Sequence, residues 1–153
     1  MKNRIFSTDN DWTGLIARLT VGLILFPHGA QKVLGWFGGP GFSGEMAFFT
    51  QTLQLPWLIA LLVILIEFLG SIALIAGLAS RLWAVAVIGL FVGIIFVGGH
   101  AEHGFFINWF GNQQGEGYEY HLLVIGLSLT VLTGGSGKFS LDQSIHHRLS
   151  AVK

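Results

Sequence analysis

The apolar residues of this chain gather into four long runs, at 14–35, 57–79, 82–101 and 118–134. A helix that crosses the hydrocarbon core of a bilayer needs about 20 mostly apolar residues. The first three runs meet that length, while the uncharged centre of the fourth, 122–133, is shorter. The pattern predicts an all-α, transmembrane four-helix bundle. Only residues 79–82 separate the second and third runs, a tight turn that makes those helices antiparallel neighbours. Residues 36–56 and 102–117 form long loops at the opposite end. In the first loop Phe42, Met46, Phe49 and Leu53 recur every three or four residues, with Ser43 placed to cap them. That spacing predicts a short helix lying on the membrane surface. Phe105, Phe106, Trp109 and Phe110 crowd the second loop, with Trp36 and Trp57 at comparable depth. They read either as an aromatic belt at the headgroups or as the rim of a lipid-side entrance.

Charge fixes an orientation for this arrangement. With four spans, Lys2, Arg4, Arg81, Lys138, Arg148 and Lys153 share the side of the termini. The other side holds Lys32 at its edge, with Glu45, Glu102, Glu116 and Glu119. Basic residues mark the cytoplasm, so both termini are expected there. The 79–82 turn is then inner, the two long loops are outer, and residues 136–153 form a cytoplasmic tail of one membrane domain over 1–153. Composition agrees with a membrane protein. Charged residues make 10% of the chain, against roughly 25% in soluble proteins. Zero net charge gives no footprint for nucleic acid. The absence of cysteine excludes disulfides and thiolate chemistry from this chain.

At 100° per residue each run concentrates its small and ionisable residues on one side. The stripes are Gly14, Arg18, Gly22, Leu25, His28, Gly29 and Lys32; then Ala60, Glu67, Gly70, Ser71, Gly77 and Arg81; then Gly89, Gly93, His100 and His103; then Gly117, Tyr118, His121, Ser128 and Gly135. In lipid, small residues let helices approach and polar groups turn away from hydrocarbon, so the four stripes should face one another. Glu67 lies ten residues into its run, near mid-membrane. A lone charge there costs at least about 2.5–3.5 kcal/mol, so a partner is required. At about 1.5 Å per residue His28 falls at nearly the same depth. Arg18 lies deeper and Lys32 shallower, and the long stems of both can reach toward it. A cluster of Glu67 with His28, completed by Arg18 or Lys32, is the expectation, with His121 entering at the level of Lys32.

Other chemistries find little support. His100 and His103 have the i, i+3 spacing that can present two imidazoles, but no third ligand stands at a fixed spacing. No metal site and no haem are therefore expected. There is no GxGxxG after a strand, no P-loop and no GxSxG.

The pieces RLTVGLILFPHGAQKVLG, EFLGSIALIAGLASR, HGFF at 103–106, GYEYHLL and GSGKFSLD, in that order, resemble the DoxX family of small bacterial membrane proteins. The resemblance spans about residues 15–142. It implies a four-helix bundle in the bacterial cytoplasmic membrane and an association with redox chemistry, including quinone-linked oxidoreductases. The motif positions are Arg18, His28, Gly29, Lys32, Glu67, Gly70, Arg81, Glu119 and His121, largely those of the stripes. On this basis a quinone or quinol is the expected ligand. Glu67 and His28 would exchange its protons, and Arg18, Lys32, His121, Tyr118 and Glu119 would bind it. The chain has no evident electron carrier, so oxidoreductase partner subunits are implied, and a homo-oligomer is compatible. Two alternatives stay open: a non-catalytic scaffold or anchor for oxidoreductase partners, and a small-molecule transporter.

Overall fold

A computed structural model describes residues 5–151. Lys2, Arg4 and Lys153, used above to orient the chain, lie outside the described residues. The protein is all-α. Helix α1 spans Trp12–Leu34, opened by Asp11, whose carboxylate accepts the Gly14 N–H at 2.8 Å, and closed by Gly35 at φ 69°. Helix α2, Gly41–Ala47, continues through a widened π turn at Phe48–Thr52, in the segment where the Phe42/Met46/Phe49 spacing predicts a surface helix. Helix α3 runs over Trp57–Ala76 and contains a second π turn at Ile66–Gly70. Helices α4, Ser80–Phe96, and α5, Glu119–Gly134, follow. The segment beyond residue 140, read above only as a tail, forms helix α6, Leu141–Ala151.

Two of these helices, α1 and α3, are long and apolar enough to cross a membrane. Helices α4 and α5 are shorter apolar helices. Helix α1 lies between α3 and α5, and α4 lies against α5. Helix α4 meets α3 chiefly along the second half of α3, from Ile66 onward. The buried core runs between them through Ala17, Val21, Leu25, Leu74, Val87, Phe91, Val124 and Val131. Gly29 allows a close approach of α1 to α3: a Cβ there would sit 2.6 Å from the Phe68 backbone. The crossing of α1 over the π turn of α3 thus depends on a missing side chain.

One end of the bundle is locked by buried charges. Arg18, 1% exposed, donates to five carbonyls. These are Leu74 at 3.0 Å, Ile75 at 2.6 Å, Ser136 at 2.8 Å, Lys138 at 3.0 Å and Phe139 at 2.9 Å. It therefore closes the end of α3 and ties it to the loop after α5, whose carbonyls have no helical partners. Asp142 takes the opposite role. Its carboxylate accepts the N–H groups of Ala79 at 2.6 Å and Ser80 at 2.9 Å, and the Ser136 hydroxyl. An acidic group at the positive end of α4 is the favourable placement. Arg81 donates to Leu132, Thr133 and Ser7 carbonyls. The GSGKFSLD segment is thus a structural clasp. Gly77, at φ 69°, would bring a Cβ to 2.5 Å from Ser140 Cβ, so the α3–α4 turn accepts only glycine without rearrangement.

Candidate functional site

Opposite the clasp, the π turn in α3 adds a residue to one helical turn, a distortion that often marks functional sites. Glu67 stands in that turn and is 6% exposed. Side chains lean toward the N-terminus of their own helix. Glu67 on α3 and Lys32 on the antiparallel α1 therefore lean toward each other. Lys32 Nζ lies 2.7 Å from Glu67 Oε2 and 3.8 Å from Glu45 Oε1 on α2. One ammonium thus serves two carboxylates. Glu67 Oε2 is buried, and apart from this ion pair it has no hydrogen-bond partner among the described residues.

These three residues line a cavity of about 580 Å³. Phe48, Phe49, Leu53 and Leu55 close it from the α2 side. Ile59, Leu62, Val63 and Ile66 of α3 form one wall, and Ala86, Gly89, Leu90, Gly93 and Ile94 of α4, with Val97 and Gly98 past its end, the other. His100, in the single turn His100–His103 beyond α4, also lines it. The imidazole of His100 stands edge-on to that of His121, ring centres 4.6 Å apart, and His121 is 6% exposed. The Nδ1 atoms of both are buried without a hydrogen-bond partner. Burial pushes the His100 pKa below its ordinary value, reinforced by the nearby His103 and opposed by Glu116 and a backbone bond at Gly117. Nδ1 of the imidazole at this wall is thus left without a protein partner among the described residues.

The remaining candidates from the sequence go elsewhere. Arg18 does not complete the Glu67 cluster, because its whole guanidinium is spent on carbonyls at the far end. His28 is exposed. It makes no hydrogen bond or ion pair with Glu67, so equal depth did not bring the two together. Tyr118 is half-buried and edge-on to Phe105 at 5.6 Å. Glu119 sits in the first turn of α5, and neither lines the cavity. His103 does not line it either. Among the described residues no group of three or more acidic or histidine side chains could hold a metal ion. Glu45 was missed as a site residue. The signal was present: it shares the apolar face of Phe42 and Phe49 at i+3 and i+4 spacing, where a charge needs a reason.

Glu45 gives the site a pH dependence. Burial lifts its carboxyl pKa above the ordinary value; Lys32 lowers it and Glu67 raises it further. A raised carboxyl contributes stability below the ordinary carboxylate range and loses it as pH rises through the raised value. Glu45→Gln should therefore flatten that loss. Its melting temperature in detergent should exceed that of the native chain at pH 8, with the gap closing toward pH 4. A gap that stays constant between the two pH values would contradict the shift.

Comparison with known proteins adds a family and one relative. The DoxX family profile matches residues 14–100, more than half of the chain and including Lys32, Glu45, Glu67 and the α4 wall. The GYEYHLL and GSGKFSLD segments lie beyond that match. The chain is 28% identical over 128 residues to a Bacillus subtilis (strain 168) protein named "Putative oxidoreductase CatD", covering 84% of this chain and 83% of the relative. No solved structure matches.

Proposed function

The chain belongs to the DoxX family of integral membrane proteins, and from that membership we propose that it is a redox-associated membrane subunit whose cavity binds a quinone or quinol. The observation that carries the proposal is the pairing of Lys32 with Glu67 in the wall of an otherwise apolar cavity of about 580 Å³. Ligand sites of this kind are mostly apolar, about 300–1,000 Å³, with a few placed polar groups. The Bacillus relative is named an oxidoreductase, which supports the redox part of this reading.

A quinone takes up two electrons and two protons to become a quinol. A partner subunit carrying a redox cofactor is the source of the electrons. Glu67 is the group that passes one proton to a quinone oxygen, because its carboxyl stands in the cavity wall where that oxygen would lie; solvent water supplies the second proton. Lys32, ion-paired with that carboxyl, offers N–H donors to the ligand. His100, backed by His121, offers a further nitrogen to the ligand.

The topology that accompanies this reading is four spans in the bacterial cytoplasmic membrane, with the clasp and both termini at the cytoplasmic face. Arg81, Lys138 and Arg148 near the clasp support that orientation. The exposed Phe106, Trp109 and Phe110 at the other end support a belt at the outer headgroups.

The test is a titration of protein in lipid nanodiscs with a benzoquinone, read by quenching of tryptophan fluorescence. Saturable binding is expected, weakened about tenfold or more by Glu67→Gln, a loss of about 1.4 kcal/mol. Absence of saturable binding to the native chain would end the proposal. A stable complex with partner subunits, in protein that binds no quinone, would instead favour a membrane anchor.

A further inference from the structure

Glycines inside a helix weaken it relative to alanine, so each one calls for a reason. For Gly22, Gly29 and Gly70 the reason is packing. An added Cβ would sit 2.8 Å from Ile75, 2.6 Å from the Phe68 backbone and 2.8 Å from Trp83, respectively. Gly89 and Gly93 of α4 have no such neighbour: nothing of the protein lies within 4 Å of the Cβ position. Both line the cavity. Their missing side chains therefore keep space open where the protein itself places nothing.

The shape of that space is informative. Its lining follows α4 from Ala86 to Ile94, eight residues or about 12 Å of helix, and continues past the end of that helix to Val97 and Gly98. The space is an elongated apolar slot between α3 and α4. It is also open sideways. Gly89 is exposed, and α4 meets α3 chiefly from Ile66 onward. Of the residues that line the space, Ile59 and Leu62 on α3 and Val97 just past the end of α4 are themselves exposed. At one side of the slot stands the buried Glu67, whose Oε2 is ion-paired with Lys32 and otherwise has no hydrogen-bond partner among the described residues.

We infer that the slot over Gly89 and Gly93 is a binding site for the hydrocarbon chain of a tailed ligand. The polar head sits at Lys32–Glu67, and the molecule enters from the bilayer between α3 and α4. The inference rests on the quinone reading above and narrows it to lipid-soluble members that carry an isoprenoid or alkyl chain. A flexible chain gains from a preformed apolar groove because the groove is already emptied of protein side chains.

The experiment compares two benzoquinones with the same ring, one bearing a ten-carbon chain and one bearing none, in nanodiscs of the native chain, Gly93→Leu, Gly89→Leu and Glu67→Gln. Gly126→Leu is the control: that helical glycine also has open space but does not line the cavity. The native chain should prefer the tailed ring at least tenfold after correction for partition into lipid. Gly93→Leu and Gly89→Leu should weaken the tailed ring tenfold or more and the tailless ring less than threefold. Gly126→Leu should change neither, and Glu67→Gln should weaken both. Equal corrected affinity for the two rings would overturn the slot while leaving the quinone reading intact, and so would tailed binding unaffected by both leucines. A dimer of the native chain that dissociates in Gly93→Leu would assign the ridge to a second copy and overturn the slot as well. Failure of the native chain to bind either ring would remove the quinone reading, and the slot with it.

Discussion

Arg18→Met should lower the unfolding free energy by about 3–5 kcal/mol, the loss that follows when one partner of a buried charged network is removed. Methionine keeps most of the apolar stem and deletes only the head. The five carbonyls of Leu74, Ile75, Ser136, Lys138 and Phe139 then lose a common donor. Each bond to a charged donor contributes about 1.5–3 kcal/mol, and a buried acceptor left bare pays its desolvation as well. Part of that loss is offset by no longer burying a guanidinium. Arg18→Lys should recover little, because an ammonium is a point donor and cannot fork across two chain segments. Unfolding in mixed micelles, followed by tryptophan fluorescence, measures both variants. A loss under 1 kcal/mol in Arg18→Met, or full rescue by lysine, would refute the clasp.

The same residue shows what the sequence could and could not disclose. Arg18 on the apolar stripe announced a buried charge that needed partners. Its partners are backbone carbonyls at the C-terminal end of α3 and after α5, and carbonyls carry no sequence signature. A charge search along the helices offers Glu67 instead, so the expectation drew Arg18 toward the wrong pole. The helix positions were legible because hydrophobic length and period are local properties of the chain. Observed boundaries fall close to the four apolar runs, with α4 ending at Phe96 where Gly98 and Gly99 follow. The two π turns were not legible. A 100° wheel assumes 3.6 residues per turn throughout, and the extra residue at Ile66–Gly70 re-aims the side chains near Glu67. His28 failed for a related reason: depth along the helix was matched, but angle round it was given too little weight. Lys32 succeeded because a four-carbon stem tolerates an angular error that an imidazole does not. The α6 helix was missed because its surface pattern is weak, and Asp142, the residue that anchors it, reads in sequence as an ordinary solvated acid.

Lys32→Met should destabilise the protein by about 3–5 kcal/mol, and adding Glu67→Gln to it should restore most of that loss. Among the described residues Lys32 is the single cation beside two carboxylates, Glu67 at 2.7 Å and Glu45 at 3.8 Å. Removing it leaves two like charges facing one another in an apolar wall, the costly case of an uncompensated buried charge. Each can escape only by taking up a proton, and once one has done so it relieves the other. Glutamine at 67 makes that relief permanent without changing shape. The double variant should therefore lie closer to Glu67→Gln than to Lys32→Met, with a coupling of about 2–3 kcal/mol, at the upper end for residues in direct contact. Strict additivity of the two changes would show that the pair contributes nothing to the fold.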